Sequence, residues 1–141
     1  MTFKYLEDVA IADLAFRAEA ESVEELFQVA AMAVSDSMAD LSKVRPAVTR
    51  VIQLEGESLD HLLFDFLSEI VYLKDSETLI FSRFEIRITR NASCWLRAEM
   101  LGERIDRGRH ELRQDVKAVT LHMFEVEKRD SRWTATVVLD V

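Results

Sequence analysis

The feature that most constrains the fold is a strand pattern that continues to the last residue of the chain. Side chains at every second position are apolar or small, and those between them are mostly polar, with Trp133, Ala135, Val137, Leu139 and Val141 in the first set and Thr134, Thr136, Val138 and Asp140 in the second. Such alternation is typical of a β-strand with one buried face. Terminal residues are usually poorly ordered unless a sheet holds them. We therefore predict a final strand that is an integral part of a sheet.

This final strand ends in two carboxylates. The side chain of Asp140 and the terminal carboxylate of Val141 are one residue apart. Carboxylates held this close repel each other unless a cation or a hydrogen-bond donor lies between them. A hard cation that prefers oxygen ligands would relieve the repulsion. The alternative is that Asp140 is a solvated polar residue at the edge of the sheet, and the spacing alone leaves both interpretations open.

Two helices are predicted from capping residues that precede apolar stripes. Ser22 is followed three residues later by a glutamate, which is a capping-box pattern. Apolar residues then recur at helical spacing as far as Leu41, and Pro46 excludes any further continuation. Ser58 precedes the second stripe, which we expect to continue to about Leu73.

Alternating patterns elsewhere predict strands over residues 13–18, 48–54, 83–88, 94–100 and 115–128, before the final strand. The last four follow one another in the chain, so we expect them to be antiparallel neighbours. About six strands and two helices indicate an α+β fold, with both helices packed on one face of a mixed or antiparallel sheet. The length of 141 residues is that of a single domain, 1–141.

Composition points to a cytoplasmic protein. A single cysteine, Cys94, excludes an internal disulfide, and the chain has only three glycines and one proline, too few for a flexible linker. No leader pattern begins the sequence, and no apolar run approaches the ~18 residues of a membrane-spanning helix. We therefore expect no membrane association.

The charge of the chain argues against direct, tight binding of nucleic acid. The formal net charge is −8, whereas proteins grip phosphate backbones with Lys and Arg. Four arginines, Arg104, Arg107, Arg109 and Arg113, crowd one predicted loop, with acidic residues between them. Such a loop is either solvated or a local phosphate site. We expect RNA, if it is involved, to be reached through a partner.

No catalytic grouping emerges from the remaining polar residues. The chain contains no nucleophile elbow, no phosphate-binding glycine loop and no histidine-pair metal motif, which argues against an enzyme. His122 is in phase with Thr120 and Phe124, so we expect it to be half-buried and hydrogen-bonded. His110 is interpreted first as part of the loop structure and second as a partner contact.

Segments along almost the whole chain carry a resemblance to a known family, including SVEELFQVAAMAV in the first predicted helix and LLFDFLSEIVYLKDSETLIFSRFEI in the second helix and the next strand. KAVTLHMFEVEK, residues 117–128, followed by a turn, a tryptophan and the closing VVLDV, resembles the C-terminal half of the archease family. Leu121 stands where that family usually has tyrosine. Near the N-terminus, Ala12, Asp13 and Leu14 resemble the family's A-D-[IL] motif, although Ala10 and Ile11 replace its preceding His-Thr.

The resemblance implies a non-enzymatic accessory factor. Archeases assist RtcB-type RNA ligases by promoting formation of the ligase–guanylate intermediate and multiple turnover, in tRNA splicing or RNA repair. GTP and the catalytic metal belong to the ligase. The same α+β fold class is implied.

The resemblance also implies a divalent-metal site at Asp13, Asp140 and Val141, with Val141 contributing a backbone or terminal oxygen. Calcium is expected, with magnesium or manganese as other possibilities, because oxygen ligands disfavour zinc and copper. Lys117, Arg104 and His110 are candidate contacts for the ligase. The competing hypothesis is a metal-dependent hydrolase that uses Asp13 and Asp140 around a cation with a bound water.

Overall fold

A computed structural model describes residues 1–6 and 13–141, and within these ranges the chain forms seven β-strands, two α-helices and a short 3-10 helix. Ala10 and Ile11, where the sequence departs from the archease pattern, lie outside the described residues. In chain order the elements are β1 (Thr2–Leu6), β2 (Asp13–Ala20), α1 (Val23–Met38), the 3-10 helix (Leu41–Lys43), β3 (Val48–Gly56), α2 (Leu59–Glu77), β4 (Leu79–Arg90), β5 (Cys94–Arg104), β6 (Ala118–Arg129) and β7 (Arg132–Asp140).

The strands form two antiparallel sheets. The four-stranded sheet has the order β1-β2-β7-β6, and the three-stranded sheet has the order β3-β5-β4. The predicted α+β class is confirmed. The single sheet that we expected is divided in two, however, and β5 and β6, although consecutive, lie in different sheets. The long segment 105–117 carries the chain from one sheet to the other.

Both predicted helix starts are confirmed by their caps. The Ser22 hydroxyl accepts a hydrogen bond from the backbone N–H of Glu25, and the Ser58 hydroxyl accepts one from His61. The α2 helix continues one turn beyond the predicted end and is capped by Thr78 in the left-handed conformation, φ 53°. No helix in the described ranges is long and apolar enough to cross a membrane.

The core is formed where both helices pack against both sheets. The Phe27 ring on α1 stacks on Phe66 of α2 with 6.2 Å between ring centroids, and Phe66 in turn meets Phe84 of β4 edge-on at 6.5 Å. Burying aromatic side chains supplies a large share of the hydrophobic stabilisation of a small domain. The helices therefore hold the two sheets in one continuous core.

The last strand lies in the interior of the larger sheet, which agrees with the prediction that it is an integral part of a sheet. β7 is hydrogen-bonded to β2 on one side and to β6 on the other, and its residues Ala135, Val137 and Leu139 belong to the core. A strand paired on both edges is held more firmly than an edge strand. The end of β7 is therefore a fixed point from which Asp140 projects.

Candidate functional site

Two carboxylates meet at one end of the larger sheet. Asp13 is the first residue of β2 and Asp140 is the last residue of β7, and the two are directly opposite each other in the antiparallel register. Directly opposite residues point to the same face of the sheet, with Cβ atoms about 4.5–5.5 Å apart. Asp13 is half-buried and Asp140 is exposed. The structure thus brings together two side chains that are far apart in the sequence.

The sheet surface next to this pair of carboxylates is apolar. Ala118 of β6 lies opposite Asp140 on its other side, and the next pair on the same face of β2 and β7, Ala15 and Val138, is buried. Charges beside an apolar surface interact more strongly than charges in bulk water. Two unneutralised carboxylates in this position would repel each other, so the arrangement suits a bound cation or a cationic group of a partner.

The backbone of Lys117 holds the chain end in place. Its N–H donates a 2.8 Å hydrogen bond to the carbonyl oxygen of Asp140. Val141 follows, half-buried against the core. Lys117 also lines a hollow of about 250 Å³ together with Tyr72 and Asp75 of α2. The backbone hydrogen bond thus links Lys117 to the residue that carries one of the two carboxylates.

The donor set at the chain end consists of hard oxygen atoms. The carboxylates of Asp13 and Asp140, with an oxygen of Val141, match the ligands that calcium, magnesium and manganese prefer. Within residues 1–6 and 13–141, no group of three or more His, Cys, Asp or Glu side chains is placed to hold a metal ion. A cation here would therefore rely on two side chains, and its other ligands would be backbone, water or partner oxygens.

A buried lysine holds the segment that leads to this end of the sheet. Lys74 of α2 is 8% exposed, and its ammonium group lies 2.8 Å from Asp115 and 3.0 Å from Asp75, and also donates to the carbonyl oxygen of Val116. Burial lowers the pKa of Lys74, but the hydrogen bonds to Asp115 and Asp75 outweigh it and leave the pKa raised. The same contact lowers the pKa of Asp115. Lys74 therefore stays charged and ties α2 to the start of β6.

Hydrogen bonds and an ion pair attach the arginine-rich segment to the two helices. Arg104 is the last residue of β5, and its guanidinium donates to the carbonyl oxygen of Glu77. The guanidinium of Arg113 lies 3.0 Å from the Asp36 carboxylate of α1. Because Arg104 and Arg113 have partners within the chain, the arginine-rich segment is better interpreted as a structural loop than as a phosphate-binding site. A contact of Arg104 with a partner protein stays a prediction.

The Glu103 carboxylate is the centre of a hydrogen-bond network in the arginine-rich segment. It accepts hydrogen bonds from the Arg109 guanidinium, the Arg45 backbone N–H and His110 Nε2. The bond from Arg109 is the main cause that lowers the pKa of Glu103 from its ordinary value of 4.5 to about 2, against the opposing effect of burial. Because the backbone N–H of Asp106 donates to Nδ1 of His110, the ring proton is assigned to Nε2.

The side chain of His110 is 0% exposed, and both of its ring nitrogens are used within the segment. The structure therefore gives His110 a role in shaping the loop. The proposed contact of His110 with a partner is not tested by this placement and stays a prediction.

Strand β6 contains a wide bulge that sequence reasoning missed. Thr120 is opposite Val138 and Glu125 is opposite Thr136, so the four residues 121–124 face a single residue of β7. His122 is exposed, and our expectation of a half-buried histidine was wrong, because the bulge interrupts the alternation on which it relied. The apolar run in this segment looks like continuous strand and contains no glycine or proline that would have signalled the interruption.

Comparison with known proteins agrees with this architecture. Residues 3–141 match the model of the Archease protein family (MTH1598/TM1083). Protein archease from Pyrococcus abyssi is 37% identical over 132 residues, covering 92% of this chain and 93% of the relative. The Methanopyrus kandleri archease is 39% identical over 131 residues, covering 92% and 94% of the two chains.

Solved structures show the same fold. The solution structure of Methanobacterium thermoautotrophicum protein 1598 superimposes with a TM-score of 0.87 at 36% identity, covering 99% of this chain and 98% of that one. The crystal structure of a Thermotoga maritima archease, described as a possible chaperone, has a TM-score of 0.64 at 18% identity, covering 94% and 93%, and supports the fold alone. On the family match and the identity to curated relatives, the chain belongs to the archease family.

Proposed function

We propose that this protein is an accessory factor that docks on an RtcB-type RNA ligase and promotes formation of the ligase–guanylate intermediate, in tRNA splicing or RNA repair. Family membership supports an accessory role. The curated relatives are archeases, and one solved archease is described as a possible chaperone, which is an accessory protein and not a catalyst. RNA would be reached only through the ligase. The net charge of −8 suits a partner with a basic RNA-binding surface, because opposite charge speeds encounter.

The observation that carries this proposal is the direct pairing of Asp13 with Asp140. We propose that these carboxylates and an oxygen of Val141 bind a divalent cation, with calcium the first choice and magnesium or manganese the others. Bound there, the cation would neutralise the two carboxylates and offer a positive centre to anionic groups of the ligase complex. Water or partner oxygens would complete its coordination, because calcium takes 6–8 oxygen ligands.

The remaining parts of the proposal concern the partner and the compartment. Lys117 and Arg104 are exposed side chains that we propose contact the ligase, with His110 shaping the loop beside them. We propose the cytoplasm as the place of action, on the ground that Cys94 is a free thiol.

The test is the rate of guanylylation of a purified RtcB-type ligase with GTP. The wild-type chain should accelerate this step, and Asp13→Ala and Asp140→Ala should lose most of the acceleration. Asp130→Asn is the matched control, because it removes a carboxylate from the exposed β6–β7 turn, where asparagine tolerates the positive φ of 55° equally well. Equal stimulation by all four proteins would refute the assigned site.

The same variants distinguish the accessory role from the hydrolase hypothesis. The chain alone should cleave neither RNA nor nucleotides in the presence of calcium, magnesium or manganese. Metal-dependent hydrolysis that is abolished by Asp13→Ala and Asp140→Ala would replace the accessory role with an enzymatic one.

A further inference from the structure

We propose that the bulge surface, formed by Leu121, His122 and Met123 on β6, is a contact surface whose apolar side chains bind in an apolar pocket of the partner ligase. This inference rests on the proposed function, because the ligase is the occupant to which it commits. The partner surface that fits is an apolar pocket surrounded by basic residues.

The bulge surface exposes large apolar side chains. Leu121 is 70% exposed and Met123 is 53% exposed, although only one residue separates them. Single exposed apolar residues are ordinary, but two large ones within three positions of an edge strand favour a protein contact. β6 is an edge strand of its sheet, so a partner can approach the bulge from the side.

The bulge is held in shape at both ends. Before it, the Thr120 hydroxyl donates a 3.0 Å hydrogen bond to the carbonyl oxygen of Val138. At its last residue, the Phe124 ring packs edge-on against Phe64 of α2, with 5.5 Å between centroids. A surface that is already ordered loses little conformational freedom when it binds. The exposed side chains are therefore presented by a fixed support.

The backbone inside the bulge adopts an unfavourable conformation. Met123 has φ 56°, in the left-handed region that side chains with a Cβ atom rarely adopt. Glycine would fit this backbone without strain, yet the chain places a large apolar side chain there. Strained backbone of this kind clusters at sites of recognition. The combination of backbone strain and side-chain exposure indicates that the Met123 side chain itself contributes to binding.

Charge decides which occupant fits. The chain carries a net charge of −8, and the exposed carboxylate of Glu125 directly follows the bulge, while Glu127 beyond it is paired with Arg129 at 3.0 Å. Anionic lipid headgroups and a second copy of this acidic chain would both be repelled. An enzyme that grips RNA must carry a basic surface. Glu125 and the acidic surface of the chain would face that basic surface while the bulge fills an apolar pocket.

The bulge surface is also close to the carboxylate pair. Ala118 lies opposite Asp140, and Leu121 is three residues further along β6, which is about 10 Å along a strand. One partner surface of ordinary size would therefore cover both. Binding at the bulge would place the carboxylates against the ligase in a defined orientation.

The experiment measures binding of a purified RtcB-type ligase to immobilised wild-type protein and to the double variant Leu121→Ser, Met123→Ser. The matched control is Val51→Ser, Trp95→Ser, which removes apolar side chains that are 46% and 50% exposed on the other sheet. Removing buried apolar anchors should weaken Kd at least about tenfold, mainly through faster dissociation, with the control unchanged. Equal binding by the two double variants would overturn the proposal.

A second variant separates binding from stability. Met123→Gly removes the side chain and relieves the left-handed strain, so its melting temperature should not fall while its affinity for the ligase should. Wild-type affinity in Met123→Gly and in the double variant, with stimulation of the ligase intact, would show the bulge to be incidental and leave the proposed function standing. Failure of the wild-type protein to bind the ligase would refute the proposed function, and the docking surface with it.

Discussion

The ammonium group of Lys74, buried on α2, lies 2.8 Å from a carboxylate oxygen of Asp115 and also donates a hydrogen bond to the carbonyl oxygen of Val116. These contacts hold the segment that enters β6, and the next residue, Lys117, is bonded to the backbone of Asp140. A single buried side chain thus connects the second helix to the end of the sheet at which the carboxylates meet.

Replacing Lys74 with methionine should therefore destabilise the protein. Methionine can occupy the space of the side-chain stem but leaves the Val116 carbonyl without its charged donor, and an unsatisfied buried polar group costs about 1–3 kcal/mol. Lys43→Met is the control, because its ion pair with Glu111 is exposed and such pairs contribute about 0–1 kcal/mol. Urea denaturation of both variants measures the difference, and equal losses would contradict the role given to Lys74.

The Glu103 network should make stability depend on pH in the acidic range. Because the folded-state pKa of Glu103 is lowered from 4.5 to about 2, its contribution is present above the unfolded value and is lost as the pH falls toward about 2. The excess stability of the wild-type protein over Glu103→Gln should therefore shrink between about pH 5 and pH 2. Free energies of unfolding at several pH values measure this, and a constant difference would refute it.

Divalent cations should stabilise the protein through Asp13 and Asp140. A ligand that binds only the folded state adds about 2.7 kcal/mol when its concentration is 100 times Kd. Without metal, Asp140→Asn should be as stable as the wild-type protein or more so, because it removes repulsion between opposite carboxylates. With calcium or manganese, the wild-type melting temperature should rise while that of Asp140→Asn should not.

Asp130→Asn should retain the full response to metal, since Asp130 lies in the turn between β6 and β7. An unchanged wild-type melting curve in millimolar calcium, magnesium and manganese would remove the metal site from the proposal. It would leave the docking of the ligase to be tested by binding.

The isolated protein should bind RNA weakly at physiological salt. Its acidic surface offers few phosphate contacts, and the arginines Arg104 and Arg113 are engaged with partners in the chain. Fluorescence anisotropy with a labelled tRNA half, measured over a range of salt concentrations, tests this directly. Tight binding with a steep salt dependence would indicate that the protein grips RNA with its own surface.

Much of the fold was predictable because its signals are local. Ser22 and Ser58 begin the two helices as their capping patterns predicted, since a cap depends on residues three positions apart. The last strand is extended as far as Asp140, as predicted, but Thr136 and Val138 on its second face are buried as well. The predicted end of α2 was too early, because the final turn of the helix is polar and is supported by Lys74 reaching the segment before β6.

The candidate site was predictable only in part. The sequence pointed to Asp13 and Asp140 separately, through motifs near the two ends of the chain, but their direct pairing depends on β2 and β7 being neighbours. The five-residue strand β1 was missed, because short half-exposed strands show little alternation. The bulge at residues 121–124 was missed because its sequence resembles that of a continuous strand and contains no glycine or proline.

The sequence by itself determined the two helices, most of the strands, the acidic character of the chain and the family to which it belongs. These properties follow from the spacing of side chains along a few turns or a few residues of strand. Only the tertiary structure decided the division into two sheets, the burial of His110, the role of Lys74 and the exposure of Leu121 and Met123. Strand pairing and burial are contacts between residues distant in sequence, and no local pattern specifies which distant partner is chosen.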